Sequence, residues 1–162
     1  MTFIARDNNG LYQTTEPVSR EEIIRFAHTL LSRQFRNRRK ISSPNDVRQW
    51  LIMRLATDIR ECSAAIFLSQ QHHILAYETL FIGTLNQATV YPRELLQRAL
   101  LHNATAVILV HNHPSGESAP SQADIQLTKM LMDTLALVDI RIPDHMIVGG
   151  DSVYSFAEHG LL

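Results

Sequence analysis

Cysteine is almost missing from this chain. One residue, Cys62, stands among 162, so no intramolecular disulfide and no cysteine-rich zinc framework can form. Long apolar runs are missing too. Residues 1–12 include Arg6, Asp7 and Asn8 and hold no apolar run of signal-peptide length. Residues 104–110, interrupted by Thr105, are far too few to span a bilayer. A cytoplasmic protein that leaves membranes alone is the expectation. Charge of one sign is also lacking. The net charge is −1, which offers no overall field to attract nucleic acid. Charged residues make up only 19% and hydrophobic ones 45%, which argues against disorder and for one packed domain. No internal repeat and no low-complexity segment is present.

The elements that are there begin after a polar stretch, residues 1–17, expected to be an irregular tail. Ser19 caps a helix with Glu21 and Glu22 in its first turn and Ile23, Ile24, Ala27, Leu30 and Leu31 along one stripe. Arg33, Arg36, Arg38, Arg39 and Lys40 crowd its end. Cations at a helix C-terminus followed by a solvated linker explain them. A nucleic-acid patch is the sharper alternative, but a single aromatic, Phe35, is interleaved. Ser43 and Pro44 open a second helix, with Val47, Trp50, Leu51, Arg54 and Leu55 on its face. Short apolar segments at 64–68, 74–82 and 89–91 read as a three-strand meander. Pro92 starts a helix through Leu101 with Leu95, Leu96, Ala99 and Leu100 buried. Residues 106–110 form a buried strand, Ser121 begins a helix to about Leu137, and strands follow at 140–142, 145–148 and 153–156. This order predicts a mixed α/β or α+β domain around one sheet.

The chemistry concentrates in His111-Asn112-His113-Pro114-Ser115-Gly116 and Ser121-Gln122-Ala123-Asp124. If strand geometry persists to its end, His111 and His113 point to one side, because side chains repeat every two residues. Pro114 and Gly116 turn the chain, and Asp124 falls in the first turn of the next helix. Two imidazoles and one carboxylate leave a tetrahedral position open for water, the layout of a catalytic zinc site. Ser121 and Asp124 also read as a capping box with Asp in place of Glu.

His111-x-His113-Pro114 with Ser121-x-x-Asp124 resembles the JAMM motif of JAB/MPN-type metalloproteins. The fuller string His-Asn-His-Pro-Ser-Gly resembles the RadC-like branch. So do Gly83-Thr84-Leu85, Pro92-Arg93-Glu94, Asp144-His145-x-Ile147-Val148-Gly149 and Tyr154-Ser155. The resemblance covers residues 43–162 and is to the short form without a helix-hairpin-helix module. It implies a JAB/MPN-like (cytidine-deaminase-like) single mixed sheet flanked by helices, preceded by an extension over residues 1–42 with one helix. It implies Zn2+ held by His111, His113 and Asp124, and Ser121 as an oxyanion donor. A glutamate on an earlier strand is implied as general acid/base, for which Glu61 is the choice over Glu78 and Glu94. The reaction it implies is amide hydrolysis of a peptide or protein substrate.

Other roles stay open at this level. Asn112 holds the turn or faces the cleft. His145 serves either the Asp144-His145 turn or the surroundings of the metal. His72, His73, His102 and His159 read as surface or loop residues, and Cys62 as a small buried one. An HNH nuclease is rejected, because its residues are dispersed over a ββα unit. A zinc deaminase is rejected, because one cysteine cannot supply its Pro-Cys-x-x-Cys. The serious rival is a non-catalytic DNA-associated or protein-binding module with a vestigial metal site.

Overall fold

The computed structural model describes residues 3–5, 11–36, 44–56, 58–83 and 90–162. The 1–17 stretch is not simply irregular. It contains a two-stranded antiparallel pair, β1 (Phe3–Ala5) with β2 (Tyr12–Thr14). Phe3 stacks on Phe26 of α1 (Arg20–Arg36) at a centroid distance of 4.0 Å, and Tyr12 meets the same ring edge-on. Aromatic burial against the helix therefore orders what its polarity left undetermined. At the helix start Ser19 Oγ accepts from Glu22 N, and Ser19 N donates back to Glu22 Oε2, a reciprocal cap.

The rest is built on a five-stranded sheet. After α2 (Pro44–Leu55) come β3 (Cys62–Leu68) and β4 (Ile74–Ile82), then α3 (Pro92–Leu101), β5 (Ala106–Asn112), α4 (Gln122–Ala136), β6 (Arg141–Gly149) and β7 (Ser152–Ser155). The sheet order is β4-β3-β5-β6-β7, with β5 and β6 parallel and the other neighbours antiparallel. The fold is a mixed α+β, JAB/MPN-like sheet flanked by helices. Two strands stand where a meander of three was expected. Val90 and Tyr91 are not strand, Tyr91 is the N-cap residue of α3, and Thr89 lies outside the described residues. So do Ser43 and the side chains of the basic run 33–40.

Both faces of the sheet are covered, which is why β3 and β5 are buried along their whole length and mostly apolar. Ala64, Ile66, Leu68, Ile108 and Val110 pack beneath Val47, Trp50, Leu51 and Leu55 of α2. Ala65, Phe67, Val107 and Leu109 face Leu95 and Ala99 of α3 and Leu131 and Leu135 of α4. Leu100 was expected in that interface but is exposed, because it lies off the Leu95–Ala99 stripe.

The period of two in β5 sorts its last residues. His111 falls on the α3/α4 face with Val107 and Leu109, while Asn112 falls on the α2 face with Ile108 and Val110. The segments expected as separate strands at 140–142 and 145–148 are one strand, β6, with a register shift. Ala106 pairs with Arg141, but Ile108 pairs with Asp144. The additional residue, in the stretch that holds Pro143, is a bulge that exchanges the faces of everything after it. His145 thereby pairs with Leu109 and shares the face of His111.

Candidate metal centre

His111, at the buried end of β5, reaches α4 through the capping box that starts that helix. Ser121 Oγ accepts from Asp124 N, and Asp124 Oδ2 accepts from Ser121 N at 2.7 Å and from Ser121 Oγ at 2.6 Å. The cap and the carboxylate of the metal-ligand group are therefore the same residue. Its Oδ1 lies 3.3 Å from His111 Nε2 and its Oδ2 3.6 Å from His113 Nε2. The two Nε2 atoms are 3.0 Å apart. Among the described residues, His111, His113 and Asp124 form a group whose ligand atoms all lie within 4.8 Å of one another.

His113 lies just past the strand and is fixed in three ways. Its N–H donates to Val148 O, its carbonyl accepts from Gly116 N, and its Nδ1 lies 2.8 Å from Glu117 O. A carbonyl only accepts, so Nδ1 carries the proton and Nε2 keeps a lone pair in the neutral ring. The loop holding Glu117 rests directly on Gly149. A Cβ there would stand 2.9 Å from Gly116 O and overlap the backbone of Glu117 and Ser118. Only glycine permits that approach.

The electrostatics match this arrangement. The Asp124 carboxylate, aided by the Glu117 carbonyl, raises the pKa of His113 against the opposing effect of burial. Burial alone would raise that of Asp124, but hydrogen bonds from His111 and His113 outweigh it and hold the carboxyl far below the usual range. Burial pushes His145 well below the ordinary imidazole value.

A cavity of about 20 Å³, room for one water, opens beside these groups, with Glu61, Ser63, His111, Asp124 and His145 on its wall. Glu61, immediately before β3, is therefore brought to the site. Glu78 is not: it pairs with Arg98 at 3.3 Å and His102 at 2.7 Å between β4 and α3. Glu94 is exposed in the first turn of α3. His102, in the turn that ends α3, is accordingly a hydrogen-bond partner of Glu78.

The donor set fits a divalent cation. Two imidazole Nε2 atoms and a carboxylate face one another at 3.0–3.6 Å, an arrangement that repels itself unless a proton or a metal ion lies between.

Asn112 and His145, left open by the sequence, receive definite places. Asn112 Oδ1 accepts from Cys62 N at 2.7 Å, and its Nδ2 donates to Asp58 O and Arg60 O. His145 Nε2 lies 2.8 Å from His111 Nδ1, and its Nδ1 lies 2.7 Å from Thr128 Oγ1. Thr128 went unremarked in the sequence, although its place four residues after Asp124 puts the two on one helix face. Asp144 ties down the C-terminus, accepting from Ser155 Oγ at 2.7 Å and from Ala157 N.

Among the described residues no helix is long and apolar enough to cross a membrane. The family model of the RadC-like JAB domain matches residues 41–161. The UPF0758 protein YkfG of Escherichia coli K12 is 56% identical over 121 residues, 75% of this chain and 77% of that one. YfjY of the same strain is 48% identical over 147 residues, 90% of this chain and 92% of the relative. A UPF0758 protein of Leptothrix cholodnii is 48% identical over 149 residues, 90% of this chain and 67% of its own length. With the family model matching most of its length and relatives this similar, the chain belongs to the RadC-like JAB domain family.

Proposed function

We propose that this protein is a zinc-dependent hydrolase that cleaves an amide bond, peptide or isopeptide, with His111, His113 and Asp124 holding the metal. The observation that carries this reading is the convergence of three ligand atoms within 4.8 Å beside a water-sized cavity that Glu61 also lines. When bound, the ion supplies a Lewis acid and makes water a stronger nucleophile near neutral pH.

The chain's own residues supply the rest. Glu61 is the general acid/base, taking a proton from water in the cavity and delivering it to the leaving amine. Asp124 Oδ2 has two donors, the backbone and the hydroxyl of Ser121. The backbone donor can hold the carboxylate while the hydroxyl turns to a developing oxyanion. The wall formed by Val90, Leu109, Leu127 and Leu131 keeps bulk water from the far side of the cavity.

The test pairs metal analysis of the purified chain with a peptide and isopeptide cleavage screen. Stoichiometric zinc, and turnover lost both on chelation and in Glu61→Gln, are expected. Zinc-independent cleavage, or zinc uptake unchanged in His113→Ala, would defeat the reading.

A further inference from the structure

We propose that Thr128 and His145 are positioning residues that fix the tautomer of His111, so that its Nε2 lone pair faces the metal position. This rests on the metal reading above.

The derivation counts protons. Thr128 Oγ1 lies 2.6 Å from the carbonyl oxygen of Asp124 and 2.7 Å from His145 Nδ1. A hydroxyl has one proton, and the carbonyl can only accept, so the proton goes to Asp124 O. Thr128 Oγ1 can then meet His145 only as an acceptor, which places a proton on His145 Nδ1. The ring is 3% exposed, packs on Phe156 at a centroid distance of 4.7 Å and has Thr128 and His111 as its polar contacts. A neutral ring protonated at Nδ1 has a lone pair at Nε2. That atom is 2.8 Å from His111 Nδ1, which must therefore donate. In its neutral form, the one a metal ion requires, His111 is left with its lone pair on Nε2, the atom 3.0 Å from His113 Nε2 and 3.3 Å from Asp124 Oδ1.

The opposite assignment fails at one point. A proton on His145 Nε2 alone would set the lone pair of Nδ1 against that of Thr128 Oγ1 at 2.7 Å, with no hydrogen between. The relay thus starts at the backbone of Asp124 and ends at the imidazole that faces the same residue's carboxylate. Partners behind a metal-bound histidine set its tautomer and orientation, and losing them typically weakens metal binding by 10–100-fold.

Two measurements on the full chain test this. Long-range ¹H–¹⁵N spectra of the metal-free protein should show His145 neutral with its proton on Nδ1. A proton on Nε2, alone or together with one on Nδ1, overturns the relay. Zinc affinity by chelator competition should fall about 10–100-fold in Thr128→Val and recover in Thr128→Ser. Thermal unfolding of each metal-free variant establishes that it folds. A folded Thr128→Val with wild-type zinc affinity also overturns the relay. A wild-type chain that takes up no zinc defeats the metal reading alone, because the ring spectra decide the relay without metal.

Discussion

Asn112 and Cys62, fifty residues apart, are joined by a buried hydrogen bond of 2.7 Å from the Cys62 N–H to the Asn112 side chain. The same amide donates to the carbonyls of Asp58 and Arg60. The residue between the two histidines thus grips the backbone on both sides of Glu61, from the face opposite the ligands. Asn112→Ala leaves a buried donor without its partner, at a cost of about 1–3 kcal/mol. Denaturant unfolding should show that loss while zinc affinity stays within a few-fold of wild type. Any hydrolysis that needs Glu61 should fall by more than the zinc affinity does.

The three glutamates separate cleanly by placement. Glu61→Gln should lower turnover by about 10²–10⁴-fold with the metal retained. Glu78→Gln breaks a partly exposed cluster with Arg98 and His102 and should cost no more than about 1 kcal/mol of stability, leaving turnover alone. Glu94→Gln, at an exposed position, should change neither. A Glu78 variant that abolished cleavage while binding zinc normally would reassign the acid/base.

Gly149 tests the loop behind His113. Gly149→Ala forces a methyl group into the backbone of Gly116, Glu117 and Ser118, and the loop must shift. A cost of about 1–3 kcal/mol is expected, together with weaker zinc binding through the displaced Glu117 carbonyl. Gly116→Ala gives a useful contrast. Its φ of +85° is strained for any L side chain, but nothing lies within 4 Å of the added Cβ. It should lose stability with a smaller effect on zinc.

Acidity should govern metal-free and loaded protein in opposite ways. The folded pKa of His113 is raised from 6.5 by Asp124. Its contribution to metal-free stability is therefore complete below 6.5 and lost as pH rises through the folded value. Asp124 is depressed from 3.8 despite its burial, through His111 and His113. Its contribution is present above 3.8 and lost as pH falls through the folded value. The pair should stabilise the metal-free protein most between those two values. Zinc must displace the proton, so the gain in Tm on adding zinc should widen as pH rises past 6.5. Scanning calorimetry with and without chelator reads both trends, and a gain that shrinks with rising pH contradicts them.

Much of the molecule was legible in one dimension because its signals are local. Ser19 and Glu22, Pro92, and the Ser121–Asp124 box mark helix starts by chemistry that acts within one turn. The apolar runs of β3 and β5 report burial on both faces. The spacing of His111 and His113 follows from the pleat, and the first turn of α4 returns Asp124 to them. Three-dimensional structure alone decided the rest. The 1–17 stretch depends on aromatic packing against Phe26, and Val90 and Tyr91 lead into α3, Tyr91 as its N-cap residue, rather than forming a strand. That Glu61 lines the cavity while Glu78 pairs with Arg98 and His102 depends on where the sheet carries each of them. Above all, the bulge in β6 turns His145 towards His111 and Asp144 towards Ser155. A one-residue slip exchanges the faces of a strand, and its place is set by pairing with β5, a partner 35–36 residues away that no local pattern in β6 reveals.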